Sequence, residues 1–238
     1  RCIGEGAYGE VWLARTVTGV MRAVKAVYRA KFDNERPYER EFEGIRKFEP
    51  VSRSHEGLMD VLQVGRNEAA GYFYYVMELA DSASGSNKSL PPLPGGNPVF
   101  PPVSEYVPKT LRSELSARHR FSPAECCRIG LELTAAVQHL HECGLVHRDI
   151  KPSNIIFVSG VLKLADIGLV TEPREARTQV GTEGYIAPEG SGTAQSDLYS
   201  LGKVLYELAT GKNRDRFPEP LTDLAAVPER EELQELNE

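Results

Sequence analysis

The chain lacks any run of 18 or more apolar residues, so nothing in it reads as a membrane-spanning helix. It also lacks a basic excess. Its 28 Lys and Arg are outnumbered by 34 Asp and Glu, and they are scattered rather than bunched, which gives no argument for nucleic acid. Cysteine is scarce. Cys2, Cys126, Cys127 and Cys143 form no Cys-x-x-Cys pair, and Cys126 and Cys127 are neighbours about 100° apart on a helix. They read as reduced cytosolic thiols rather than a disulfide framework or a metal site. The chain opens on Arg1-Cys2-Ile3, with neither an initiator Met nor a signal-peptide pattern, and reads as an excised fragment. What remains is ordinary for a globular protein: 238 residues, 41% hydrophobic and 26% charged, enough for one large domain or two modest ones.

Ile3-Gly4-Glu5-Gly6-Ala7-Tyr8-Gly9-Glu10-Val11-Trp12-Leu13-Ala14 is a G-x-G-x-x-G-x-V pattern with strand-like flanks. Glycines permit positive φ and close backbone approach, so the loop reads as a hairpin flap able to lie over phosphates. Dinucleotide-binding folds share the spacing, but there the third glycine opens a helix. A structural glycine-rich hairpin is the plain alternative. Met21 to Val27 alternates in strand fashion and puts Lys25 in phase with Ala23 and Val27. A lysine on an apolar face needs a partner or a ligand, unless it snorkels at an edge. Asn34 to Phe48 has helical period with Tyr38, Phe42, Ile45 and Phe48 as its stripe. Glu41 is the first choice of partner for Lys25 and Glu43 the second; a solvated face is the bland reading of either. Leu58 to Val64 and Gly71 to Leu79 read as strands joined by a turn around Arg66-Asn67-Glu68, the second one buried and aromatic.

Asp81 to Pro108 holds seven prolines and Gly95-Gly96 and has no periodicity; it reads as a linker or loop. Pro91-Pro92-Leu93-Pro94 within it is either a surface insertion or a ligand for a Pro-rich-peptide reader. Ser122-Pro123-Ala124-Glu125 then opens a helix that runs to about Cys143 and stops at Gly144, with Ile129, Leu133, Val137 and Leu140 on one face. His147-Arg148-Asp149-Ile150-Lys151-Pro152-Ser153-Asn154 follows. It sets a carboxylate that can accept a proton from a hydroxyl, an ammonium that can neutralise phosphate and a neutral oxygen ligand for a hard cation within six residues. Ile155 to Val158 and Val161 to Leu164 form a hairpin that delivers Asp166-Ile167-Gly168 to the same region. A polar loop leads to Gly181-Thr182-Glu183-Gly184-Tyr185-Ile186-Ala187-Pro188-Glu189. A buried helix spans Asp197 to Leu208, closed by Gly211, and an acidic tail at Glu229 to Glu238 reads as helical.

In this order, from Ile3 to Gly211, these motifs resemble the protein kinase superfamily. The resemblance implies an α+β, two-lobed fold: a small antiparallel β-sheet lobe with one helix, and a larger, mainly helical lobe. It implies an N-terminal lobe at 1–80, a Pro-rich insertion at 81–108 and a C-terminal lobe at 109–238 that stops early. Gly4, Gly6, Gly9 and Val11 resemble the ATP-covering loop. Lys25, in Ala23-Val24-Lys25, resembles the lysine on the α- and β-phosphates, and Glu41 its helix partner. Met77 is similar to the residue guarding the back of the nucleotide pocket, Glu78 and Ala80 to the hinge, and Ala23 and Ile156 to residues that line the pocket. Asp149 resembles the catalytic base, Lys151 its charged neighbour, and Asn154 and Asp166 the Mg²⁺ ligands. Asp197 resembles the buried anchor of the catalytic loop.

Lys151 together with Thr182 is similar to the serine/threonine class, which implies ATP and Mg²⁺ as cofactors and a protein substrate with a Ser or Thr acceptor. Arg148 beside Asp149 resembles members switched by activation-loop phosphorylation, with Thr178 at the usual phosphosite. The motif style resembles bacterial members, and the implied location is cytoplasmic, free or as the cytoplasmic part of a tethered protein with regulatory regions elsewhere. Three features depart from the pattern: Ile167 where Phe is usual, the length of 81–108, and no assignable arginine partner for Glu189. A pseudokinase and a small-molecule kinase are the alternatives. The full set of Lys25, Glu41, Asp149, Asn154 and Asp166 argues against the first, and Lys151 with Gly181 to Glu189 against the second.

Overall fold

The computed structural model describes residues 1–6, 8–83, 105–166 and 181–219. The first part is a five-stranded antiparallel sheet built from β1 (Cys2–Glu5), β2 (Gly9–Arg15), β3 (Met21–Tyr28), β4 (Val61–Asn67) and β5 (Tyr72–Met77), in the order β1-β2-β3-β5-β4. Alternation in β3 sends Ala23 and Val27 into the core at 5% and 0% exposure, while the register sets Lys25 opposite Val11 on one side and Tyr75 on the other. α1 (Glu35–Ser52) is capped by Asn34, whose side chain accepts from the Arg36 N–H. Its stripe of Tyr38, Ile45 and Phe48 packs into one core with Phe73 and Tyr75 of β5. The turn between β4 and β5 falls later than the sequence suggests. β4 continues through Asn67, whose Oδ1 accepts from the Ala70 N–H, and Gly71 takes the positive φ of 67° that closes the turn.

The second part is mainly helical: α2 (Leu111–Arg118), α3 (Pro123–Glu142) and α4 (Ala194–Thr210), with a short hairpin of β6 (Ile155–Val158) and β7 (Val161–Leu164). Each helix starts on a reciprocal capping box, Thr110 with Ser113, Ser122 with Glu125, and Thr193 with Ser196. The third box starts α4 three residues ahead of the Asp197 expected from apolar periodicity, because serine can close the box without adding to an apolar pattern. Gly211, in the left-handed region, ends α4 as expected. Ile129, Leu133, Val137 and Leu140 of α3 are all buried.

The ends of the Pro-rich stretch are knitted to each other: Ala83 N–H donates to Val107 O at 2.8 Å and Lys109 N–H to Asp81 O at 2.6 Å. Pro91 to Pro94, Ile167, Gly168, Thr178 and the acidic tail lie outside the described residues. All four cysteines are free thiols. Among the described residues no helix is long and apolar enough to cross a membrane.

Candidate active site

Between the sheet and the helical part lies a cavity of about 410 Å³. Gly4, Gly6, Gly9 and Val11 line one wall; Ala23, Lys25 and Met77 line another. Glu78, Ala80, Ile156, Asn154 and Asp166 complete the nucleotide- and metal-binding residues expected from the sequence, and each of them lines this one cavity, whereas Glu41, Asp149 and Lys151 do not. Tyr75, Met59, Leu79 and Tyr106 line it as well and were not singled out. Tyr75 was within reach of sequence reasoning, because it lies two residues before Met77 on the same strand face. Tyr106 gave no signal, since 24 residues separate it from Asp81.

Gly4, Gly6 and Gly9 do not serve the positive φ that the sequence suggested; none of the three falls in the left-handed region. Space is the reason at Gly9, where a Cβ would stand 2.2 Å from the carbonyl oxygen of Ala26 on β3. A Cβ at Gly6 would meet nothing closer than 4.0 Å. Gly9→Ala should therefore lower the melting temperature by several degrees, since overpacking costs about 1–3 kcal/mol. Gly6→Ala should leave melting unchanged and reveal itself only in ligand affinity. Differential scanning fluorimetry of the two variants checks this, and equal melting shifts would contradict it.

Lys25 reaches across the cavity to Asp166, Nζ to Oδ1 at 2.6 Å. Burial works against the Lys25 ammonium, but the Asp166 carboxylate, with Tyr75 and Glu41, outweighs it and holds the lysine well above its usual range. The Lys25 charge in turn keeps Asp166 below the usual carboxylate range. Glu41 is 7% exposed on α1 and makes no ion pair among the described residues. Burial pushes its carboxyl up to about 7, against the opposing charge of Lys25. The pairing expected for Lys25 is thus corrected: its direct partner here is Asp166, and Glu41 acts on it only through the field. Glu43, the second candidate, pairs with Arg46 at 2.7 Å. The Glu78 carboxylate is also taken, by Lys163 at 2.6 Å and the Asp60 N–H at 2.9 Å, and its own N–H donates to Asp60 O at 3.2 Å, which leaves its carbonyl for the cavity.

Asp149 stands beside the cavity, 8% exposed, with every contact made by a neighbour the sequence named. Its Oδ1 accepts from the Thr182 hydroxyl at 2.7 Å. Its Oδ2 accepts from Lys151 Nζ at 2.8 Å and Asn154 Nδ2 at 2.9 Å. Lys151 also donates to Thr182 Oγ1 at 2.6 Å, closing the ring. The loop is pinned from below by Asp197 of α4, itself 1% exposed. Its Oδ2 accepts from the His147 N–H and its Oδ1 from the Arg148 N–H, both at 2.8 Å, and His141 Nε2 meets Oδ2 at 2.9 Å. The His147 ring bonds the Ala165 carbonyl at 3.1 Å, and the Ala165 N–H donates to Asn154 O at 2.8 Å. Those two bonds hold Asp166 beside Asn154.

Asn154 and Asp166 offer oxygen donors to one cavity, the donor type that Mg²⁺ prefers. Among the described residues no group of three His, Cys, Asp or Glu gathers. A Mg²⁺ ion fits that set, because it is held by one or two protein carboxylates completed by substrate phosphates and water. On the flank of the site, burial and the nearby Arg40 of α1 depress the Arg148 guanidinium, with Asp197 opposing.

Residues 100–222, a little over half of the chain, match the family described as protein kinase domain. Serine/threonine-protein kinase PrkC of Bacillus subtilis is 27% identical over 89% of this chain and 30% of its own length. Serine/threonine-protein kinase PknA of Mycobacterium tuberculosis is 30% identical over 89% of this chain and 46% of its own. CBL-interacting serine/threonine-protein kinase 9 of Arabidopsis thaliana is 28% identical over 89% and 43%. The chain thus spans less than half the length of these curated relatives. The family match, the relatives that cover the sheet as well as the helices, and the closed ring around Asp149 agree: the chain belongs to the protein kinase domain family.

Proposed function

We propose that the chain is the catalytic domain of a serine/threonine protein kinase that moves the γ-phosphate of ATP to a Ser or Thr hydroxyl of a protein. The observation that carries this reading is the Asp149–Lys151–Thr182–Asn154 ring at the edge of a cavity lined by Lys25 and Asp166. Asp149 accepts a hydrogen bond from the acceptor hydroxyl and aims its oxygen at the γ-phosphorus. As that O–P bond forms and the bond to the leaving ADP oxygen breaks, the hydroxyl proton passes to Asp149. Lys151 meets the negative charge that spreads over the transferred group, and Lys25 meets the α- and β-phosphates. Asn154 and Asp166 would hold Mg²⁺, which supplies further neutralisation of phosphate charge. Gly4, Gly6, Gly9 and Val11 cover the nucleotide and limit water, while Ala23, Met77, Glu78, Ala80 and Ile156 hold the base.

We place the lobe division at 1–80 and 109–238 with 81–108 between, and the domain in the cytoplasm, where free cysteines persist. Incubation with labelled ATP, Mg²⁺ and a mixed protein substrate, followed by phosphoamino-acid analysis, tests the reading. Label on serine and threonine is expected; label on tyrosine alone, or none, overturns it.

Control by phosphorylation is part of the same proposal. Burial, and then the nearby Arg40, depress the Arg148 guanidinium, and a phosphate on Thr178 would pair with Arg148. Tryptic mass spectrometry of active protein after exposure to Mg-ATP should find phosphate on Thr178. An active protein without it defeats this part alone.

A further inference from the structure

Glu78 and Ala80 line the cavity, and three of their backbone groups are not in the same condition. Glu78 C=O and Ala80 N–H accept and donate nothing among the described residues. Ala80 C=O, the next group in register, is already engaged: the Tyr106 hydroxyl donates to it at 2.9 Å. Tyr106 is 5% exposed and lines the cavity. Its ring packs with Leu13 and Met21, with Ile3 and Leu79 against them, so the phenol is held from the sheet side. Its backbone is held too, between the paired ends of the Pro-rich stretch, where Ala83 N–H bonds Val107 O. This residue therefore stands at one fixed point of the wall, and burial together with Asp81 keeps its hydroxyl protonated as a donor.

We propose that Tyr106 is a specificity-determining residue of the nucleotide site, one that tunes the hinge to a base carrying hydrogen, not an amino group, beside Ala80 C=O. The inference rests on the nucleotide-binding reading above. Adenine presents along one edge a donor at N6, an acceptor at N1 and a C2–H that makes no strong hydrogen bond. The hinge presents in the same order a free acceptor, a free donor and an acceptor already satisfied by Tyr106. A buried carbonyl left without a donor is costly, so an unassisted Ala80 C=O would favour a base that brings its own donor at C2. Tyr106 removes that advantage before any ligand arrives. Discrimination then comes from a donor supplied by the protein, in the same way that a site built around a ligand hydrogen bond discriminates against analogues that do not match it.

The experiment compares ATP with 2-aminoadenosine triphosphate on the wild-type protein and on Tyr106→Phe, which keeps the ring and its packing. Tyr106→Leu serves as a second variant that loses the same hydroxyl with a different shape. Dissociation constants are measured by calorimetry with Mg²⁺, and melting curves establish that each variant is folded. The wild type should bind ATP more tightly than the 2-amino nucleotide, whose extra donor meets a carbonyl that Tyr106 already satisfies. In both variants the preference should move toward the 2-amino nucleotide by about tenfold, the size of one restored hydrogen bond to an otherwise unpaired buried carbonyl. A preference ratio that stays within twofold of wild type in variants that bind ATP overturns the proposal and leaves the kinase reading intact. A folded wild-type protein that binds neither nucleotide overturns both.

Discussion

Replacing Asp149 by Asn should lower phosphate transfer about a thousandfold while leaving nucleotide binding within a few-fold of wild type. The two halves of this expectation come from different parts of the geometry. Asn fits the ring: its carbonyl takes the Oδ2 position, where Lys151 and Asn154 donate, and its amide donates to Thr182 Oγ1 in the Oδ1 position. The side chain therefore stays where it is, at a cost of about 1–3 kcal/mol for one charge-assisted bond made weaker. It can no longer accept the hydroxyl proton, and that alone removes the general-base contribution, worth about 10²–10⁴ in rate. Asp149 does not line the cavity, so the nucleotide has no direct quarrel with the change. Transfer within tenfold of wild type would remove Asp149 from the mechanism. Loss of nucleotide binding in step with activity would show instead that the ring holds the cavity in shape.

The residues legible from sequence were those whose type conflicts with their setting. A lysine in phase with buried Ala23 and Val27, an Asp–Lys–Asn set in a non-periodic gap and glycines inside strand-like runs all demand an explanation that packing does not give. The structure gathers them in and beside one cavity. Partnership was less legible. Lys25 had two candidate glutamates two residues apart on one helix, and only the three-dimensional path decides that its ammonium lands on Asp166. The reason for the glycines was misread for a related cause: φ is a local property that sequence suggests, whereas the 2.2 Å approach at Gly9 depends on the neighbouring strand. Tyr106 and α2 were missed because they lie beyond a long stretch without period. Eight residues capped by Thr110 and Ser113 carry too little apolar repeat to announce a helix.

Asp197→Ala should be the most damaging change outside the cavity, removing transfer and lowering the melting temperature by about 10 °C or more. The Asp197 carboxylate sits at 1% exposure and is the shared acceptor for the His147 N–H, the Arg148 N–H and the His141 ring. Alanine leaves both backbone donors buried with no acceptor from α4, at about 1–3 kcal/mol each. Removing one member of a buried charged contact costs about 3–5 kcal/mol in total, and each kcal/mol moves the midpoint of a domain this size by about 2–4 °C. Activity suffers by a separate route. Arg148 holds a left-handed φ of 72° directly before Asp149, a conformation that a non-glycine residue keeps only when its surroundings enforce it. Without the bond from its N–H to Asp197, that residue relaxes and carries the Asp149 carboxylate off the line to Thr182 and Lys151. Asp197→Asn retains one acceptor oxygen and should fall between alanine and wild type in both readouts. Thermal melting and phosphate transfer on the three proteins together distinguish anchor from bystander: if alanine melts with wild type, the catalytic loop is held by something other than α4.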